Sequence, residues 1–333
     1  MDEAGFYNGP RFAAEGDAAV VLNRQKGEIF SRVEPFTASA AERSKYIEHI
    51  DFALIQQILL AEFKAGVHYG SRGEKIPPMP TKEDILFLNR QGFMELGAPL
   101  DTPMALMPRT NLTLVNVDLL EREITDNANF KPETIFLHIL FHELNHSIAS
   151  TGVKRAADST ILQTGIEQRE ALAEGVTVNY SFINEAINDV RARQMTARYL
   201  RSVLPVKDLP EADKVEDVYI RMGDGFSHVL GPFVLKVMAR MIAEYTGVPS
   251  DDVWKSFWHM NLNGLLLFKP EVSEALDLDK VFGPGFTEVL KKFDIEEAMT
   301  LLIAYGDYNS DQRFISLVKE SMDTHRAKAK SVD

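Results

Sequence analysis

Cysteine is absent from all 333 residues. Neither a disulfide framework nor a thiolate metal site can therefore be built, and any metal must be held by histidine and carboxylate. No run of about eighteen apolar residues occurs, and the opening Met-Asp-Glu-Ala-Gly lacks both the basic stretch and the apolar core of a signal peptide. Membrane spanning and classical secretion are not expected, and a cytoplasmic setting fits. Basic residues are outnumbered, 36 Lys and Arg against 49 Asp and Glu, for a net charge of −13. Broad nucleic-acid binding needs clustered cations and is disfavoured. Internal repeats and low-complexity tracts are missing too, and 45% hydrophobic content supplies one large core or two lobes.

What is present is an H-E-x-x-H run, His142-Glu143-Leu144-Asn145-His146. On a helix, positions i and i+4 share a face, so both imidazoles can reach one ion while Glu143 borders the same site. Pro132 and Glu133 suit a helix start and Gly152 a stop, and between them the residues are apolar on nearly all sides. Such a helix is buried, and polar groups on it need something to satisfy them. Zinc accepts nitrogen and oxygen ligands of this kind, and a carboxylate beside it can act as general base.

A third ligand is expected from the stretch Gly165 to Gly175, read as a second helix, where Glu167, Glu170 and Glu174 fall at i, i+3 and i+7. Zinc proteases that add a glutamate to two histidines commonly carry E-x-x-[AS]-[DE], the first acid on the metal and the second orienting a ligand histidine. Glu170-Ala-Leu-Ala-Glu174 matches, so Glu170 is the expected ligand and Glu174 its support, with an exchange of the two roles left open. Without the upstream histidines, the same three acids would read as a solvated face.

His142-Glu-Leu-Asn-His-Ser-Ile-Ala-Ser-Thr-Gly-Val-Lys-Arg155, followed by Glu170-Ala-Leu-Ala-Glu-Gly175, resembles the zincin-like metallopeptidase domain of ArdC-type antirestriction proteins and of phage and plasmid polyvalent proteins. The likeness covers about Asn111 to Tyr180, with Ile148-Ala149-Ser150 inserted before Thr151-Gly152. It implies a zincin fold, bound Zn2+ and a phage- or plasmid-encoded effector, acting in a bacterial host cell or associated with a virion.

The expected fold is α+β and predominantly helical. Residues 1–35 read as an N-terminal arm with one short strand at Ala18–Leu22, and 36–152 as an upper lobe with a small sheet and the H-E-x-x-H helix. The remainder, 153–333, reads as a helical lower lobe carrying the third ligand. A capping box at Ser39 starts a helix to Gly66, and Thr81 starts another ending near Gly92. Asn111–Val117 alternates as a strand, read equally as the sheet edge that pairs with substrate along the cleft or as an ordinary sheet edge. Later helices are expected at Arg191–Val203, Phe226–Tyr245, Ser250–Met260, Glu296–Ala304 and Asp311–Ala327.

Among other polar residues, His138 extends the histidine stripe but sits too far along the helix to join one ion, and reads as a core histidine bonded to a backbone carbonyl. An oxyanion donor is expected from Tyr180, Tyr219, Tyr245 or His228, with His228 first. Arg191, Arg193, Arg198, Arg201 and Lys207 read as a solvated face, and Trp254, Phe257 and Trp258 as packing. Together these features predict a zinc metallopeptidase acting on a protein or peptide substrate, with His142, His146 and Glu170 on the metal and Glu143 moving the proton. The alternative is an antirestriction-type protein that binds nucleic acid or a host protein and uses zinc only structurally.

Overall fold

The computed structural model describes residues 17–66, 79–107, 110, 112–149, 151–155, 160–172, 175–205, 208–217, 227–263, 278, 286–293, 298 and 300. Across them the chain is α+β and mostly helical. No helix among the described residues is long and apolar enough to cross a membrane.

The segment expected to form an arm contains no strand at 18–22. Asp17–Val33 is helix α1 instead. Ile29 and Val33 lie one turn apart and pack against a small apolar cluster, while Arg32 pairs with Glu95 at 2.6 Å and Lys26 with Asp84. The Ser39 capping box forms as expected, Glu42 N–H donating to Ser39 Oγ (3.2 Å) and Ser39 N–H to Glu42 Oε2 (2.8 Å). The helix it opens, α2 (Ala40–Ile47), does not run on to Gly66. Asp51 interrupts it by accepting the Leu54 N–H (3.0 Å) and donating its own N–H to the Tyr199 hydroxyl (2.8 Å), and α3 (Phe52–Gly66) starts anew. Thr81 likewise makes its box with Asp84, but only one 3-10 turn follows. Ile85-Leu86-Phe87-Leu88 is a four-residue apolar run of strand length, and it forms β1. Helix α4 (Arg90–Glu95), β2 (Met104–Met107), β3 (Leu112–Asn116), α5 (Val117–Asp126) and α6 (Pro132–Ile148) complete this half.

The three strands lie in the order β1-β3-β2, with β1 parallel and β2 antiparallel to β3. Alternation sorts their side chains: Ile85, Phe87, Met104 and Val115 join the main core with α6, whereas Leu86, Leu88, Leu112 and Leu114 face Val33 and Phe93. The strand expected at the cleft edge, Asn111–Val117, is thus the central one, buried along its length as β3. The edge strand beside α6 is β2.

Beyond α6, which stops at Ile148 so that Gly152 falls inside a strand, the lobe expected to be mostly helical begins with an antiparallel meander. Strands β4 (Thr151–Arg155), β5 (Thr160–Thr164), β6 (Glu167–Leu172) and β7 (Gly175–Asn179) pair in sequence order. Two glycines explain why 165–175 is no helix. Gly165 has φ +58° in the β5–β6 turn and Gly175 has φ +145° at the start of β7, and both values favour glycine. Gly165 also docks the turn: a Cβ there would sit 2.5 Å from Asn184 Oδ1, which accepts the Ile166 N–H (3.2 Å) and an Asn261 amide proton (3.0 Å).

Helices α7 (Ser181–Val203), α8 (Pro210–Asp217), α9 (Ser227–Thr246), α10 (Ser250–Asn263) and a short turn at Phe286–Lys291 follow. Helix α7 begins ten residues before the expected Arg191. It is the element packed most extensively against α6, and α8 and α9 lie against its other sides. Phe257 and Trp258 are buried in the core as expected, with the Arg191 guanidinium 4.6 Å from the Trp258 ring. The expected helices at 296–304 and 311–327 lie outside the described residues, apart from positions 298 and 300.

Candidate metal centre

Helix α6 owes its burial to an apolar surface on every side, so the polar side chains it carries must find partners within the fold. His142 is 3% exposed. Its ring centroid is 5.2 Å from that of His146 one turn on, at an interplanar angle of 67°. The partner comes from α7: Glu185 Oε2 lies 2.9 Å from His142 Nε2 and 3.4 Å from His146 Nε2. One ligand atom from each of His142, His146 and Glu185 falls within 4.8 Å of the other two, a set that could hold a metal ion. Two imidazoles and a carboxylate without thiolate fit zinc or another borderline divalent cation.

The electrostatics are those of a tightly matched group. Burial opposes charging of His142, but its hydrogen bond to Glu185 and that carboxylate's charge, helped by Glu143 and Asp189, carry the imidazole up to about 9. Burial likewise pushes Glu185 up, and the charges and hydrogen bonds of His146 and His142 overcome this and hold it well below the usual carboxylate range. Glu143 moves the other way. Burial raises it, against the pull of the two histidines.

Glu143 is aimed by a backbone contact. Its Oε2 accepts the N–H of Leu106 from the edge strand β2 at 2.8 Å. Since β2 pairs with β3 along its other side, this N–H points out of the sheet and across to α6.

Glu170, the expected ligand, is not in the group. It lies mid-strand in β6, paired across the ladder with Ile161 and Thr177. The reason is that 167–172 is a strand paired on both edges, with side chains alternating between its two faces, so Glu167 and Glu170 do not share a helical face. Glu167 is buried and accepts from the Ser181 hydroxyl (2.8 Å) and Arg169 (2.6 Å). Glu174 lies outside the described residues. His228 falls in the first turn of α9, and its side chain is outside the described residues, as is Tyr219. Tyr180 is buried at the start of α7 and Tyr245 is exposed.

Glu185 had a legible signal. Asn184-Glu185-Ala186-Ile187-Asn188-Asp189 places an acid four residues after an acid, the spacing also found at 170 and 174, with Asn188 where the pattern has Ala or Ser. The flanking Ile183, Ala186, Ile187 and Val190 are apolar and buried, the criterion that singles out α6. Asp189, the acid one turn on, orients a histidine, though a different one: its Oδ1 is 3.1 Å from His138 Nε2, while its Oδ2 pairs with Arg193 at 2.7 Å. His138 is therefore held by a carboxylate, not by a backbone carbonyl. Burial lowers its pKa despite Asp189, so the neutral ring donates Nε2–H.

The basic stretch along α7 is neutralised within the fold. Arg191 and Arg198 pair with Glu62, Arg193 with Asp189 and Arg201 with Asp213; Lys207 lies outside the described residues. Arg198 and Arg201 are exposed as expected of a solvated face, whereas Arg193 is buried in an ion pair within α7 and Arg191 is largely covered. Compared with protein-family models, with curated proteins and with solved structures, the chain matches none.

Proposed function

We propose that the protein is a zinc-dependent metallopeptidase of zincin type, with His142, His146 and Glu185 holding the ion and Glu143 as general base. The observation that carries this reading is the convergence of the three ligand atoms within 4.8 Å, with Glu143 on the same helix, tied to an edge strand. A zinc ion held there supplies Lewis acidity, which acidifies water and polarises a carbonyl oxygen. The residues supply the rest. One oxygen of Glu143 is fixed by the Leu106 N–H, leaving the other to take a proton from the attacking water and return it to the amine nitrogen as the peptide C–N bond breaks. Burial raises this carboxyl, moving it towards the pH at which a base is most effective. The outer edge of β2 faces this carboxylate, and an extended peptide pairing along that edge would pass beside it. The alternative, binding of nucleic acid, draws less support among the described residues, where each arginine of α7 is paired with an acid.

The test separates the roles. Glu143→Gln keeps about one zinc per chain by elemental analysis while hydrolysis of a casein probe disappears; retained cleavage removes Glu143 as base. Glu185→Ala loses the zinc and Glu170→Ala keeps it; the opposite outcome returns the ligand role to β6.

A further inference from the structure

In β7 the alternation is the reverse of a strand that packs its valines inward: Val176 and Val178 share one face, Thr177 takes the other, and both valines are exposed. The register sets Leu162, Arg169 and Val178 directly opposite one another across β5, β6 and β7, so these three side chains stand on the same face. Leu162 is exposed as well. A lone exposed aliphatic side chain needs no explanation, but several gathered on one sheet face around a cation mark a surface for a ligand.

Towards α7 the same face is covered. Glu167, two residues before Arg169, is buried where one of its oxygens accepts from the hydroxyl of Ser181, the first residue of α7, at 2.8 Å. Glu185 of the metal group lies one turn beyond Ser181 on the same side of that helix. Arg169 donates Nε–H to the other Glu167 oxygen at 2.6 Å, while its side chain stays 62% exposed. Burial opposes the charge of the guanidinium, yet the charge and hydrogen bond of Glu167, joined by the charge of Glu185, outweigh it and raise its pKa. Arg169 thus occupies the step between the metal group and the open aliphatic side chains.

With Nε held by Glu167, the guanidinium presents its terminal Nη1 and Nη2 edge, whose parallel N–H donors match a carboxylate. The ion pair already orients this edge, so less rotamer freedom is lost when a ligand docks. Aliphatic residues stand on both sides of Arg169, so the acid it takes has chain on both sides and belongs to a side chain, not a C-terminus. We propose, resting on the peptidase reading, that Arg169 is a specificity-determining residue: it receives a Glu or Asp side chain of the substrate, whose apolar neighbours lie against Leu162, Val176 and Val178.

Short fluorescein-labelled, amidated peptides of Val and Ala with one central Glu or Gln test this by anisotropy. The full chain is used as Glu143→Gln so that cleavage does not deplete the probe, with folding checked by circular dichroism. The Glu peptide should bind about 10-fold more tightly than the Gln peptide, the low end for a charge-assisted pair because Arg169 is partly solvated. Arg169→Gln should erase this ratio. Val178→Glu, which sets a competing acid directly opposite Arg169, should erase it with the arginine in place. A ratio that survives both substitutions, or equal binding of the two peptides, overturns the proposal, and so does an Arg169-dependent gain that only a free C-terminus confers. Casein cleaved by wild type beside equal binding overturns this inference alone; an Arg169-dependent ratio without cleavage of casein or probes overturns the peptidase reading and leaves the acidic-peptide site.

Discussion

Stripped of metal, the protein should become less stable as the pH rises from about 6.5 to about 9, and Glu185→Gln should abolish that loss. Burial opposes the charging of His142, yet its hydrogen bond and Coulombic attraction to Glu185 lift it from 6.5 to about 9. A folded-state pKa above the unfolded one means that the contribution is complete below about 6.5 and disappears as the pH passes about 9. At roughly 1.4 kcal/mol per pKa unit, the rise corresponds to on the order of 3 kcal/mol. Solvent trims this, because the Glu185 side chain is 27% exposed. Glu185 itself contributes no slope in this window, since the two imidazoles overcome its burial and hold it well below 4.5. The assay is urea unfolding in excess chelator at half-unit steps between pH 6 and 9.5, wild type beside Glu185→Gln, which keeps the shape and removes the charge. Zinc should show the opposite trend. Coordination needs neutral imidazoles, so zinc affinity climbs across the very window in which the metal-free protein weakens. Metal-free stability that is flat or rising from 6.5 to 9, or a glutamine variant with the wild-type slope, would refute the reasoning.

Gly165→Ala should cost about 1–3 kcal/mol in urea unfolding, because φ +58° and an Asn184 oxygen 2.5 Å from the new Cβ both resist it; an unchanged midpoint would show that the turn does not clamp α7. Asp189→Asn removes the charge shared by His138 and Arg193, whose side chains are 0% and 5% exposed, and should cost about 3–5 kcal/mol. A fall in Tm corresponding to less than about 1 kcal/mol would mean that the network contributes little. Zinc stoichiometry should survive both substitutions where the chain still folds, since neither residue donates to the metal group.

The H-E-x-x-H helix was legible because its signals are local: Pro132 at the start, apolar residues on every side and histidines spaced by one turn. The Ser39 box and the strand around Leu112–Asn116 were legible for the same reason. The acid was legible only as one of two candidates, because choosing between 170 and 185 depends on whether 165–175 is helix or sheet. Charge spacing favours the first, whereas the left-handed glycine at 165 and cross-strand pairing with 160–164 and 175–179 decide for the second. Tertiary pairing overrode the local pattern in the same way at Ile85–Leu88, where a formed capping box opens a strand.

The contact that aims Glu143 could not be read from residue identities at all, since its donor is a main-chain N–H. Along an extended strand successive N–H groups point to opposite edges, so β2 offers Glu143 the amide of Leu106 while its neighbours at 105 and 107 point towards β3. The register Leu106↔Thr113 therefore determines whether the Glu143 carboxylate has a donor. The same register places Met104, 1% exposed, in the main core. A slip of one residue would turn that side chain out of the core and the 106 amide away from α6 together. Core packing at 104 and alignment of the Glu143 carboxylate are thus enforced by a single ladder, and the hydrophobic effect that seats one methionine also orients the group proposed as general base.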